Sequence, residues 1–157
     1  MKKYYTYIKI ALMLFLLIFI ITDLAGDKNS KADIQTVAAQ VAAEAGYDSA
    51  SPAENRMVKR FYGMNVQDYA GVVLYAPQDN MDARELLIVK LADQSQKSAV
   101  EASIESRLAT QKKSFDGYGA EQTKLLNDHM LVIEGNYILY MVGENQEPVR
   151  KAFLKSL

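Results

Sequence analysis

The chain has 157 residues, 50% of them hydrophobic and 24% charged, with a single histidine and neither cysteine nor tryptophan. That length holds one ordinary domain. The lack of cysteine excludes disulfide scaffolds, thiolate zinc centres, cysteine nucleophiles and a lipid-modified N-terminal Cys. A formal charge of −1 and a pI near 5.9 argue against a generally basic nucleic-acid binder.

The average conceals two regions. No acidic side chain precedes Asp23, and the first nine residues carry +3 through Lys2, Lys3 and Lys9. The fifteen basic and nineteen acidic side chains that follow give −4. Residues 10–21 contain no polar side chain. A helix crossing ~30 Å of hydrocarbon calls for about 20 residues. Extending the run back through Tyr7, Tyr5 and Tyr4, with Lys9 snorkelling, supplies a span of ~28 Å at ~1.5 Å per residue. Residues 10–22 are therefore expected as a transmembrane anchor or signal segment, after a cytoplasmic tip at 1–9 and before a linker at 23–32. A cleaved signal peptide is the alternative. Asp23 stands where cutting after Ala25 wants a small neutral residue, which favours retention. The charge asymmetry puts the rest of the chain outside the cytoplasm. The expected location is the cell membrane, single-pass, or the exterior if the segment is removed.

The domain is expected at 33–157. A first helix over 33–45 has Ile34, Val37, Ala38, Val41 and Ala45 at helical spacing, with Ser30 and Asp33 resembling a capping box and Gly46 as its stop. Ser51-Pro-Ala-Glu54 reads as N-cap, first turn and capping acid of a second helix that carries Met57, Val58, Phe61 and Tyr62 and ends at Gly63. Strands follow at 69–76 and 85–91, joined by a polar loop at 78–80. The longest helix covers 95–115, with Val100, Ile104, Leu108, Gln111 and Phe115 on one side. A short helix at 120–127 precedes two strands, 130–134 and 137–142, joined by a Gly135-Asn136 turn. Glu147 to Leu157 reads as a final helix started by Pro148. The order α-α-β-β-α-α-β-β-α predicts an α+β fold, a four-stranded mostly antiparallel sheet with helices packed on one face.

Arg107-Leu-Ala-Thr-Gln-Lys-Lys-Ser-Phe115, Tyr118-Gly-Ala-Glu-Gln122 and Glu134-Gly-Asn-Tyr137, with Phe61-Tyr-Gly-Met64 upstream, give the chain a family likeness. It resembles a family of small extracytoplasmic domains of unknown function from Gram-positive, largely clostridial, bacteria. Those domains stand behind a lipoprotein signal or a single membrane anchor. The likeness covers roughly residues 33–155 and implies location and domain limits. It supplies no activity.

Catalytic constellations are not evident. His129, beside Asp128, lacks a nucleophile at a recognisable spacing and reads as a strand-edge residue. No Gly-x-Ser-x-Gly, His-Glu-x-x-His or phosphate-binding glycine loop occurs. Glu101 and Glu105, one helical turn apart, could suggest glycoside hydrolysis but read as a solvated face. Asp79, Asn80, Asp82 and Glu85 lack the spacing of a calcium loop. Lys112-Lys113 is too small a basic patch for nucleic acid. No catalytic residue, metal or cofactor is therefore assigned. Arg107 has two readings. It fixes the turn into Tyr118 by pairing with an acid or capping carbonyls, or it contacts an anion or peptide together with Tyr118, Gln122 and Tyr137. The expected function is a membrane-anchored, non-enzymatic binding or interaction module at the cell envelope. Its partners would be the membrane, through the N-terminal helix, and an unknown protein, peptide or envelope component. The alternatives are an envelope hydrolase using carboxylates and an accessory subunit of a membrane complex.

Overall fold

The computed structural model describes Tyr7, Lys9 and residues 12–17, 29–47, 50–77, 79–117 and 119–157. Asp33 caps the first helix, α1 (Ile34–Glu44), by accepting from the Thr36 amide at 3.0 Å. Ser30 is not part of that cap. Its hydroxyl donates to the Leu157 carbonyl at 2.7 Å and its amide to Asn136 Oδ1 at 2.8 Å. The start of the domain is thereby laced to its end.

The second helix, α2 (Asn55–Tyr62), begins later than Pro52 suggests. The Ala53 amide donates to the Leu74 carbonyl at 2.7 Å, so this segment is tied to the neighbouring strand rather than wound into the helix. The strands β1 (Gly71–Tyr75) and β2 (Glu85–Lys90) follow. Asp93 and Gln96 then form a reciprocal capping box over a 3₁₀ turn that leads into α3 (Lys97–Phe115). The remaining elements are α4 (Ala120–Asn127), β3 (Met130–Glu134), β4 (Tyr137–Val142) and α5 (Gln146–Ser156). The β3–β4 turn has a positive φ at Gly135, +54°, and not at Asn136. That is the demand of a type II′ hairpin turn, which a glycine meets without strain.

The strands form one four-stranded sheet in the order β1-β2-β4-β3, with every neighbouring pair antiparallel. Helices cover both faces, which corrects the expectation of a single covered face. Leu87, Val89, Ile138, Tyr140 and Val142 pack with Val58, Tyr62, Val100, Ile104, Phe115 and Leu126 of α2, α3 and α4. The alternate residues Leu86, Ile88, Tyr137, Leu139 and Met141 pack with Val37, Val41, Val149 and Phe153 of α1 and α5. The reason lies in the central strands. Leu86 to Val89 and all of β4 are buried without polar interruption, and successive side chains point to opposite faces. A strand apolar on both sides requires cover on both sides.

The membrane-crossing helix expected at the N-terminus is also corrected. Among the described residues no helix is long and apolar enough to cross a membrane. Residues 12–17 are helical and exposed. Residues 1–6, 8, 10, 11 and 18–28, on which the rest of that expectation falls, lie outside the described residues. The signal-anchor, the single-pass placement, the membrane as a partner and the membrane-anchored envelope function all depended on that span, and none is retained.

Candidate functional site

Where β1 and β4 end and β2 begins, a cavity of about 310 Å³ opens between the C-terminus of α1 and the N-terminus of α5. Tyr47, Asp82, Arg84, Glu144 and Asn145 contribute its polar lining, and Ala45, Ala50 and Met141 part of its apolar lining. Each side is fixed by local backbone chemistry. α1 ends in a Schellman motif, with the Tyr47 amide donating to the Ala42 carbonyl at 2.8 Å and the Gly46 amide to the Ala43 carbonyl at 3.4 Å. Gly46 adopts the left-handed φ of +79° that the motif needs, and Tyr47 is thereby turned back towards the sheet. Its ring meets that of Tyr75 at 5.3 Å. On the opposite wall Asn145 precedes α5 with a φ of +58°, the one positive φ outside glycine among the described residues.

Arg84 and Asp82 form the charged floor. Arg84 Nε lies 2.9 and 3.1 Å from the two Asp82 oxygens, and Nη2 lies 2.9 Å from Oδ2. The Arg84 amide donates to the same carboxylate at 2.9 Å, so the loop folds around this acid. Burial works to raise the Asp82 pKa, but the hydrogen bonds and charge of Arg84 outweigh it and hold the carboxyl below its ordinary value. The hydrogen bonds and charge of Asp82 in turn raise the Arg84 pKa. The Arg84 side chain remains 61% exposed, so it keeps a face towards the cavity mouth. Burial, and next the Asp82 charge, pushes the Tyr47 phenol up to about 12, so its hydroxyl stays a proton donor well into the alkaline range.

A second polar cluster lies inside the domain. Glu85, at the start of β2, is fully buried and Arg107, on α3, is 8% exposed. Arg107 Nη2 donates to Glu85 Oε2 at 2.8 Å and Nε to the two oxygens at 3.2 and 3.1 Å. The Tyr62 hydroxyl donates to Glu85 Oε1 at 3.0 Å. The Phe61 ring lies over the guanidinium, 4.0 Å from Cζ to the ring centroid. This arrangement is closed on itself. It joins α2, β2 and α3.

The sequence candidates divide accordingly. Arg107 belongs to the buried cluster, and the acid it pairs with is Glu85. Gln122, on the same side of the sheet, accepts from the Ala83 amide at 2.9 Å and so holds the β1–β2 connection. Tyr137 lies on the other face, where its hydroxyl donates to the Ala32 carbonyl at 2.6 Å and its ring packs on Phe153. Tyr118 lies outside the described residues. Arg107 and Tyr137 are therefore separated by the sheet. His129 places Nδ1 2.9 Å from the Leu126 carbonyl and its ring beside Tyr140. Asp79 accepts from the Met81 amide at 2.7 Å, and with Asp82 and Glu85 engaged by arginines the acids of this loop do not converge. No group of three or more acids, histidines or cysteines that could hold a metal occurs among the described residues. The pocket residues Tyr47, Arg84, Glu144 and Asn145 carried no motif. Their one sequence signal is that each falls just past the end of an element or just before the start of one.

Fold and site define a small α+β domain, a helix-covered antiparallel sheet with a polar cavity at its end. The chain belongs to the family described as Domain of unknown function (DUF4358), which it matches over residues 43–143, well over half its length. No curated protein and no solved structure matches it.

Proposed function

We propose that this domain acts by binding and not by catalysis, and that its ligand is a small zwitterion held in the cavity at the end of the sheet. One observation carries the reading. A guanidinium with an exposed face, the carboxylates of Asp82 and Glu144, and a phenol kept protonated line the same open cavity. The Arg84 N–H groups that Asp82 does not engage supply donors for a ligand carboxylate. Glu144 supplies an acceptor for an ammonium, and Tyr47 supplies a neutral donor. Ala45, Ala50 and Met141 shape the apolar remainder, the mixture expected of a small-molecule site. A nucleophile paired with a base is not among these groups.

The test is a nuclear magnetic resonance titration of the protein with free amino acids and dipeptides. Amide shifts confined to Tyr47, Arg84 and residues 143–145, weakened about tenfold in Arg84→Ala, are expected, a loss of ~1.4 kcal/mol. The reading is overturned if those resonances stay still at millimolar ligand, or if an added compound is turned over.

A further inference from the structure

The two edges of the sheet are unlike. The outer edge of β1 is engaged, since the Ala53 amide donates to the Leu74 carbonyl at 2.7 Å. β3, at the other edge, pairs with β4 and with no other strand among the described residues. Edge strands are ordinarily protected by charge, proline or a bulge. Residues 130–133 of β3 read Met-Leu-Val-Ile, with none of these. Leu131 is 39% exposed, and Val132 and Ile133 are half-buried.

The phase of the hydrogen bonding is set by the hairpin. In a two-residue turn the flanking residues, Glu134 and Tyr137, exchange both backbone bonds. The Leu91 amide donates to the Asn136 carbonyl at 2.8 Å, which shows that even-numbered positions of this strand turn towards β2 and odd-numbered ones towards β3. Met130, Val132 and Glu134 therefore direct their amides and carbonyls inward to β4. Leu131 and Ile133 direct theirs outward, where no strand among the described residues meets them.

We infer that β3 is a self-association edge, joining antiparallel to β3 of a second copy of this chain about a two-fold axis at Val132. That register sets Leu131 against Ile133 of the second copy, and the reverse. The two residues with outward-facing backbone groups thus satisfy one another, with four N–H···O bonds across the axis. The same pairing brings the partly exposed Leu131 side chain onto Ile133 of the second copy on the α3/α4 face. Charge selects this register over its neighbour. With the axis at Val132, Glu134 opposes Met130 and Asp128 opposes Asn136. With the axis at Leu131, Glu134 would oppose Asp128, and like charges directly across a pair are unfavourable. An axis at Ile133 sets Leu131 against Gly135 and forfeits the apolar pair. The partner that best fits this edge is the edge itself, and the product is a continuous eight-stranded sheet.

Sedimentation equilibrium on the full chain tests this, with Leu131→Lys as the disrupting variant. A concentration-dependent dimer is expected for the natural sequence, weakened at least about tenfold by a lysine on the edge. Far-ultraviolet circular dichroism should be unchanged in the variant, because Leu131 contributes little to the core. The absence of cysteine allows a second, positional test. Val132→Cys should form a disulfide-linked dimer on mild oxidation, because residue 132 faces its own copy across the axis, and Leu131→Cys should link far less. A chain that stays monomeric overturns the inference. So does a dimer indifferent to Leu131→Lys, as association through the exposed side chains of residues 12–17 would give. Equal cross-linking at 131 and 132 overturns it as well.

Discussion

Arg107 grips Glu85 through both carboxylate oxygens, with Nη2 2.8 Å from Oε2, at a place where the acid is fully buried and the arginine side chain is 9% exposed. The two residues are 22 positions apart and belong to the sheet and to the helix that covers it. Removing one partner of such a pair strands a charge in the interior, which typically costs ~3–5 kcal/mol. Arg107→Ala and Glu85→Ala are each expected to lose that much in urea-unfolding free energy. The paired replacement Glu85→Leu with Arg107→Met should recover most of the loss, because both charges leave together. A double variant no better than the worse single one would show that the pair does more than balance its own desolvation.

Two tyrosines beside this pair separate hydrogen bonding from packing. Tyr62 donates to Glu85, whereas the hydroxyl of Tyr140, also buried, has no hydrogen-bond partner among the described residues. Their rings meet edge to face at 6.4 Å. Tyr62→Phe removes a bond to a charged acceptor, and a loss of ~1.5–3 kcal/mol is expected. Tyr140→Phe removes a hydroxyl buried without return and should be neutral or stabilising by up to ~1 kcal/mol. Chemical denaturation of the two variants side by side checks the contrast. Equal losses would mean that the Tyr140 hydroxyl is satisfied, by a buried water for instance.

Much of the secondary structure was legible because its signals are local. α4, β3 and β4 follow from apolar periodicity bounded by glycine and polar turn residues, and their limits agree with the structure. Misplaced details had non-local causes. The start of α2 is set by a bond from Ala53 to β1, which overrides the helix-opening Ser51-Pro52 signal. Cover on both sheet faces was implied by the unbroken apolar runs of β2 and β4, yet strand count and helix order alone suggested one face. The candidate site was the least legible part. Arg107 stood out as an arginine on an apolar stripe, but its partner is a residue of another element, which spacing cannot reveal. Tyr47, Arg84 and Asn145 converge only through the ends of three elements, and nothing in their own neighbourhoods marks them.

Asn145 offers a test of the pocket wall. Its φ of +58° is left-handed, and its side chain makes no capping bond to α5. Asparagine tolerates that backbone better than alanine, and glycine tolerates it best. Asn145→Ala is expected to cost ~1 kcal/mol, while Asn145→Gly should fall within ~0.5 kcal/mol of the natural sequence. Thermal unfolding of the pair decides the matter. Equal destabilisation by alanine and glycine would place the contribution in the asparagine side chain, against the geometry.

The buried phenols fix the alkaline limit of the fold. Burial raises Tyr47 and Tyr137 from an ordinary value of 10.0 to about 12, with Asp82 adding to the effect on Tyr47 and Asp33 to that on Tyr137. Burial raises Tyr62 and Tyr140 further, with the Glu85 charge acting in the same direction on both. In the unfolded chain these groups release their protons near pH 10, while the folded chain keeps them. The unfolded state thus binds fewer protons above that pH, and stability falls as pH rises. The contribution is complete below about pH 10 and is lost as pH climbs through the folded-state values. Tyrosinate absorbance is expected to rise in two stages. Exposed tyrosines should ionise first, and the buried set should follow together with loss of the circular dichroism signal. Burial leads every one of these shifts, so added salt should move the second stage little. Complete tyrosinate formation near pH 10 with the helices intact would place these hydroxyls in water and undo the packing assigned to both faces of the sheet.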